Sequence, residues 1–134
     1  MAVKQFTREE WKKIMKNFYA ADARERFGLP KRVYGSVVLG SFNIRKLGSS
    51  RSRNEDTWKF LADVCTHFDL LAIQEILDDL SGIRRLMELL GPDFSLVISD
   101  TTGAFPGRRG LPERLGFIYN WRVVERTEVA TDIT

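Results

Sequence analysis

The sequence LLAIQE at residues 70–75 decides the fold of this chain, together with SFNIR at residues 41–45. Each string is an apolar run that stops abruptly on polar side chains, and VVL at residues 37–39 leads into the earlier one. Consecutive apolar residues predict central strands that are covered on both faces. The polar side chains at the two stops can hold a metal ion or a phosphate group; they are Asn43, Arg45, Gln74 and Glu75. The two strings therefore predict a sheet with phosphoester chemistry at one edge.

Outward from these strings, the apolar periodicity predicts three helices and further strands. TREE at residues 7–10 is a capping box, so a helix begins there, and Gly28 with Pro30 ends it. The other predicted elements are helices around 58–65 and 83–90, a loop at 46–56, and strands at 37–45, 94–99, 115–121 and 122–129. The last two strands are predicted to pair as a hairpin. This order predicts an α/β (α+β) fold with a mixed β-sheet and flanking helices.

Composition limits the class of protein. The chain has 134 residues and 43% hydrophobic content, which fits one globular domain at 31–134 preceded by an amphipathic helix at 1–30. The single cysteine, Cys65, excludes an internal disulfide and lies at core spacing, so we expect an inert thiol. Neither a signal peptide nor a membrane helix is readable, so we expect a cytoplasmic protein without a membrane partner.

The basic residues cluster in two predicted loops. The formal net charge is +3 and the pI is near 9.2, a mild bias that suits a polyanionic partner. The clusters are Lys46, Arg51 and Arg53 in one loop, and Arg108, Arg109 and Arg114 in or beside the other. Their alternative interpretation is ordinary solvated loop charge.

The strand ends predict a site at one edge of the sheet. Ligands of open α/β sheets bind beyond the carboxyl ends of parallel strands, where Asn43 and Glu75 are predicted to lie. If the strand at 115–121 runs antiparallel to them, Glu113 and Arg114 join the group. A hard cation such as Mg²⁺ takes oxygen ligands and usually one or two protein carboxylates, so Glu75 with Asn43 nearby suffices. The alternative is that these residues only terminate strands or cap turns.

Three motifs in order carry a family resemblance: SFNIR at 41–45, AIQE at 72–75 and ERLGFIY at 113–119. From about Val37 onward the chain resembles the endonuclease/exonuclease/phosphatase superfamily, which has the deoxyribonuclease I-like fold. The resemblance implies that the chain is the N-terminal half of an αββα sandwich. It also implies a Mg²⁺-dependent hydrolase, with Mn²⁺ as an alternative metal.

The resemblance implies roles for individual residues. Asn43 and Glu75 would be catalytic, with Glu75 the principal metal ligand and Asn43 helping to place metal and phosphate. Glu113 would orient a catalytic histidine. The phosphate-binding set would be led by Arg45, which contacts the nucleic-acid backbone in nuclease members, and would include Arg114, Arg51 and Arg53.

The chain also departs from the family pattern. The family continues to a histidine that partners the equivalent of Glu113, to an Asp-x-Asn pair and to a Ser-Asp-His motif, and none of these occurs in the 134 residues. His67, the only histidine, precedes the strand of Glu75 and is predicted to be a helix-end or core residue. Because the general base is missing, we expect the isolated chain to be nearly inactive.

Three functions follow from these observations. The first is a metal-dependent phosphodiester hydrolase, a nuclease acting on DNA, represented by its metal-binding half. The second is a non-catalytic nucleic-acid-binding module that uses Arg45, Arg51, Arg53 and the loop with Arg108 and Arg109. The third is a sheet-completing interaction module, because half a sandwich exposes an apolar face that a homodimer or a missing C-terminal half would cover.

Overall fold

The computed structural model describes residues 5–20, 29, 31–99 and 113–127. Helices and strands alternate along most of this length, as the sequence predicts. The elements are α1 (Arg8–Phe18), β1 (Leu39–Leu47), a 3-10 helix (Ser50–Ser52), α2 (Glu55–Cys65), β2 (Leu70–Ile76), α3 (Ser81–Leu90), β3 (Phe94–Ile98) and β4 (Arg114–Asn120). The predicted α/β class with a mixed sheet is confirmed.

The four strands form one sheet in the order β1-β2-β4-β3. β1 and β2 are parallel, whereas β4 is antiparallel to both of its neighbours, β2 and β3. The parallel pair is joined through α2, as a parallel connection requires. The predicted antiparallel course of β4 is confirmed, so its first residue lies at the edge where β1 and β2 end.

Local signals explain where the helices begin. The Thr7 hydroxyl accepts from the Glu10 amide while the Glu10 carboxylate accepts from the Thr7 amide, which confirms the predicted capping box. α2 begins after Asn54, whose side chain accepts from the Thr57 amide. The predicted loop at 46–56 is therefore shorter than expected, because β1 extends to Leu47 and α2 begins at Glu55.

The core lies between one face of the sheet and the pair α2 and α3. Trp58, Ile73, Leu86 and Ile118 are fully or almost fully buried there. Cys65 belongs to this core, where burial raises the pKa of its thiol to about 12, as expected of an inert cysteine. None of the helices among the described residues is long and apolar enough to cross a membrane.

α1 and His67 belong to an outer aromatic layer on α2. The Phe18 ring lies 5.3 Å from Phe60 and 5.4 Å from His67, centroid to centroid. The Nδ1 atom of His67 lies 2.8 Å from the Asp63 carbonyl oxygen. The predicted helix-end position of His67 is confirmed.

The opposite face of the sheet carries no helix within the described residues. Leu39 on β1 is 66% exposed, and Leu115 and Phe117 on β4 are 54% and 48% exposed. The prediction that β1 is a central strand covered on both faces is wrong, because β1 lies at the edge of the sheet and its exposed residues largely alternate. The consecutive apolar residues at 37–39 suggested burial on both faces, but only Val38 is buried, while Val37 and Leu39 are exposed.

The predicted final strand at 122–129 is also wrong over its described part. Residues 121–123 form a turn and 124–127 are not in a strand. The turn closes because the Val123 and Val124 amides both donate to the Asn120 carbonyl, at 3.0 and 2.9 Å. β4 already has a partner on each side, so it offers no free edge to a following strand. The predicted helix end at Gly28 and Pro30 is wrong, because α1 ends at Phe18 and Tyr19, with φ −88° and ψ 1°, caps it. Residues 28, 30, 128 and 129 lie outside the described residues.

Candidate metal centre

The parallel pairing of β1 and β2 brings Asn43 and Glu75 together. Asn43 pairs with Gln74 in the register, so Glu75 follows one residue later at the same edge. The Nδ2 atom of Asn43 donates to Oε1 of Glu75 at 2.8 Å. Gln74 is turned to a different partner, because its Nε2 donates to the Ser41 hydroxyl at 3.0 Å. Of the two strand-end residues of β2, Glu75 is the one directed toward Asn43.

An irregularity in both strands creates the position of Glu75. The register between β1 and β2 shifts between Asn43 and Leu47, and that between β2 and β4 shifts between Ile73 and Ile76. Within these shifts, Lys46 has φ 49° and Glu75 has φ 59°. This is a left-handed backbone conformation that residues other than glycine rarely adopt. Backbone strain of this kind and β-bulges both cluster at functional sites.

The second carboxylate oxygen of Glu75 is held by the bulge itself. The Lys46 amide donates to Oε2 of Glu75 at 3.0 Å. The Asn43 hydrogen bond and then the Lys46 amide lower the pKa of Glu75. Desolvation opposes them, and the charges of Arg45 and Lys46 add smaller lowering effects, so the net shift is downward. Glu75 is therefore a carboxylate at neutral pH, with its two oxygens fixed in direction.

The donor set fits a hard divalent cation. Each Glu75 oxygen accepts one hydrogen bond and keeps lone pairs, while Asn43 uses its amino group toward Glu75 and so retains its carbonyl oxygen as a ligand. Mg²⁺ typically uses one or two carboxylates and completes its shell with water and substrate phosphate. Among the described residues, no group of three or more His, Cys, Asp or Glu side chains is placed to hold a metal ion.

Two predicted residues lie where β4 starts. Arg114 pairs with Ile76, the residue after Glu75, which confirms that this end of β4 reaches the same edge. The Arg114 guanidinium donates to the Asp78 carboxylate at 2.9 Å and is mostly buried. Glu113 directly precedes it and is half-buried. The proposed roles of Glu113 in orienting a histidine and of Arg114 in binding phosphate stay predictions.

The remaining predicted arginines differ in their surroundings. Arg45 and Arg51 are exposed, at the end of β1 and in the 3-10 helix. Arg53 is half-buried: its Nη2 donates to the Arg45 carbonyl oxygen at 2.6 Å, and its Cζ lies 5.4 Å from the centroid of the Trp58 ring. Their phosphate contacts stay predictions. Arg108 and Arg109 lie outside the described residues.

Sequence reasoning missed the role of Lys46. It placed this residue in a basic loop, whereas the structure places its backbone amide on the candidate metal ligand. The side chain carried no signal for this contact because the amide makes it. The left-handed backbone conformation of a lysine also cannot be predicted from a sequence, since the residues that usually indicate that conformation are glycine and asparagine.

Fold and site together define an α/β protein whose parallel strands end on a carboxylate and an amide suited to metal and phosphate. No protein-family model matches the chain. The chain is 30% identical over 98 residues to Deoxyribonuclease-1 of Gallus gallus, covering 72% of this chain and 35% of that protein. It is 31% identical over 101 residues to Deoxyribonuclease of Thioalkalivibrio sp. (strain K90mix), covering 72% of this chain and 26% of that protein.

A solved structure, TDP2 from C. elegans, aligns with a TM-score of 0.40 and 22% identity, covering 81% of this chain and 32% of that chain. The chain spans about a third of the length of the curated relatives it matches. Over that part, the sequence similarity to these deoxyribonucleases supports an endonuclease/exonuclease/phosphatase-like superfamily. The resemblance predicted from the three sequence motifs is confirmed.

Proposed function

We propose that this chain is the metal-binding part of a metal-dependent phosphodiester hydrolase, a nuclease that acts on DNA. The observation that carries the proposal is the Glu75 carboxylate, ionised, directed by Asn43 and Lys46, and set on a left-handed backbone. The similarity to proteins named deoxyribonucleases supports DNA as the substrate. We propose Mg²⁺ as the ion, with Mn²⁺ as an alternative.

Different residues near the strand ends would bind the metal ion and the phosphate groups. Glu75 and Asn43 would hold the ion, which supplies charge stabilisation to a phosphate oxygen and to the leaving oxygen. Arg45, two residues after Asn43 on β1, and Arg51, in the 3-10 helix, are exposed cations that would bind backbone phosphates. Glu113 and Arg114 complete the edge from β4.

A general base for the attacking water is lacking among the described residues near Glu75. His67 lies in the outer aromatic layer, against Phe18 and the Asp63 carbonyl. A positioned acid–base group contributes about 10²–10⁴-fold in rate, so the isolated 134 residues should cleave very slowly. A rate near that of a complete deoxyribonuclease would contradict this expectation.

The test is Mg²⁺-dependent nicking of supercoiled plasmid together with calorimetric titration of Mg²⁺ into the chain. We expect one Mg²⁺ site, lost in Glu75→Ala, and slow nicking that EDTA and Glu75→Ala both abolish. Equal Mg²⁺ affinity in the wild type and Glu75→Ala would overturn the proposal. Circular dichroism of the variant provides the control for folding.

A second function rests on the uncovered face of the sheet. Leu39, Leu115 and Phe117 are about half exposed or more, on a face that no helix of the described part of the chain covers, which suits a further sheet. We propose that this face is covered by a missing C-terminal half or by a second copy in a homodimer. Light scattering across a concentration range tests the second copy, since a chain that stays monomeric without binding a hydrophobic dye contradicts a free apolar face.

A non-catalytic nucleic-acid-binding role differs from both. It predicts DNA binding that weakens steeply with salt, because phosphate contacts release counterions, and that survives Glu75→Ala. A purely sheet-completing module would bind no DNA at any salt concentration. The cytoplasmic location stays a prediction.

A further inference from the structure

The peptide group between Arg45 and Lys46 is held at both of its polar ends. Its carbonyl oxygen, that of Arg45, accepts from Nη2 of Arg53 at 2.6 Å. Its N–H, that of Lys46, donates to Oε2 of Glu75 at 3.0 Å. One rigid plane therefore links the Arg53 guanidinium to the candidate metal ligand, because a peptide group cannot turn its oxygen without turning its N–H.

The guanidinium is itself fixed in place. It lies over the ring of Trp58, a fully buried side chain whose Nε1 donates to the Ser50 carbonyl at 2.9 Å. Among the described residues, Nη1 of Arg53 is buried and has no hydrogen-bond acceptor. Desolvation by these surroundings lowers the pKa of Arg53. An arginine confined in this way holds its one carbonyl partner in a defined position.

We propose that Arg53 is a positioning residue for Glu75, acting through the Arg45–Lys46 peptide. The proposal rests on the proposed function in taking Glu75 as the metal ligand. A charge-assisted hydrogen bond to the carbonyl polarises the peptide and strengthens its N–H as a donor. It also holds Lys46 in the left-handed conformation that a lysine would otherwise leave.

This inference gives Arg53 a role other than the phosphate contact expected from the sequence. The cation serves the protein's own backbone, whereas Arg51 in the same segment is exposed. When a residue that orients a metal ligand without touching the metal is removed, metal affinity typically falls by about 10–100-fold.

The experiment compares Arg53→Gln with Arg51→Gln in the full 134-residue chain. Each variant loses one positive charge, and electrostatics alone would slightly favour cation binding in both. We expect Arg53→Gln to weaken Mg²⁺ binding by about 10–100-fold in calorimetry, and Arg51→Gln not to weaken it. We also expect faster hydrogen exchange of the Lys46 amide by NMR in metal-free Arg53→Gln only. Arg53→Lys keeps the charge and one donor, and should restore part of both properties.

A folded Arg53→Gln chain with wild-type exchange at Lys46 would overturn the proposal, and so would equal weakening of Mg²⁺ binding in both glutamine variants. Thermal unfolding and Trp58 fluorescence establish that the chain is folded. Should Arg53→Gln not fold, Arg53→Met decides, because methionine can still pack on Trp58 but has no donor for the Arg45 carbonyl. Wild-type exchange at Lys46 in that variant overturns the proposal. If the wild type binds no Mg²⁺, the proposed function fails, while Lys46 exchange still decides whether Arg53 positions the peptide.

Discussion

β2 carries a carboxylate at each of its ends, and the two have nearly the same hydrogen bonds in opposite surroundings. Asp69, just before the strand, accepts from the Val38 amide at 2.8 Å and from Arg32 at 2.6 Å. Glu75, near the other end, accepts from the Lys46 amide at 3.0 Å and from Asn43 at 2.8 Å. In both cases one donor is a backbone amide at β1 and the other is a side chain.

The difference between the two ends separates a structural carboxylate, Asp69, from a candidate metal ligand, Glu75. The Asp69 side chain is 0% exposed, and its side-chain donor is a full cation that neutralises it. The side-chain donor of Glu75 is a neutral amide, its side chain is partly exposed, and its backbone is left-handed. A buried charge is stable only when paired, whereas an open carboxylate fixed by neutral donors keeps its charge for a further partner.

The largest expected effect is on stability, and it should occur at one end only. Asp69→Asn removes the charge that pairs with Arg32, and we expect a loss of roughly 2–3 kcal/mol in the free energy of unfolding. This is below the value for a fully buried pair, because Arg32 is 45% exposed and can be solvated. Glu75→Gln, the matched carboxylate-to-amide change, should leave stability nearly unchanged in urea unfolding. Similar losses of stability in both variants would contradict the assignment of a structural role to Asp69 but not to Glu75.

Lowering the pH should remove part of the stability that the ionised Asp69 carboxylate contributes. Desolvation raises the pKa of Asp69, but the Val38 amide and Arg32 outweigh it, so the folded pKa lies below the ordinary value of 3.8. A lowered folded pKa stabilises the protein above 3.8, and that contribution disappears as the pH falls through the folded pKa. The stability difference between the wild type and Asp69→Asn should therefore be constant near neutral pH and shrink below 3.8. A difference that does not depend on pH would exclude this linkage.

At the Glu75 end of β2, substitution of Asn43 should lower metal affinity without lowering stability. Asn43→Ala removes both a donor to Glu75 and the amide oxygen proposed as a ligand, so Mg²⁺ affinity should fall by at least about 10–100-fold. The control is Gln74→Ala, a neighbouring amide that bonds Ser41 and not Glu75. Calorimetric titration with urea unfolding measures both properties. Equal weakening by the two changes would mean that Asn43 has no special place in the site.

Much of this comparison was readable in the sequence, and the reasons differ by residue. Asn43 and Glu75 were predictable because each follows an apolar run in the carboxyl-terminal half of its strand, and parallel strands end at one edge. The start of α1 was predictable because the Thr7 cap acts locally, whereas α2 begins after Asn54, three residues before the predicted helix. The edge position of β1 was not predictable, since strand order depends on pairing with distant residues. The left-handed bulge was not predictable either, because Lys46 contributes its backbone and carries none of the usual sequence signals.

The smallest effect concerns the strain that accompanies the open carboxylate. Lys46→Gly keeps the amide that donates to Glu75 but removes the side chain that opposes φ 49°. Relief of about 1–2 kcal/mol of left-handed strain outweighs the roughly 0.4–1 kcal/mol that glycine adds to unfolded-chain entropy. We expect a net gain of roughly 0.5 kcal/mol in urea unfolding, against a loss in Arg45→Gly, whose backbone needs no such relief. A loss in both variants would mean that the bulge holds no strain, and that the two ends of β2 differ in solvent exposure and pairing alone.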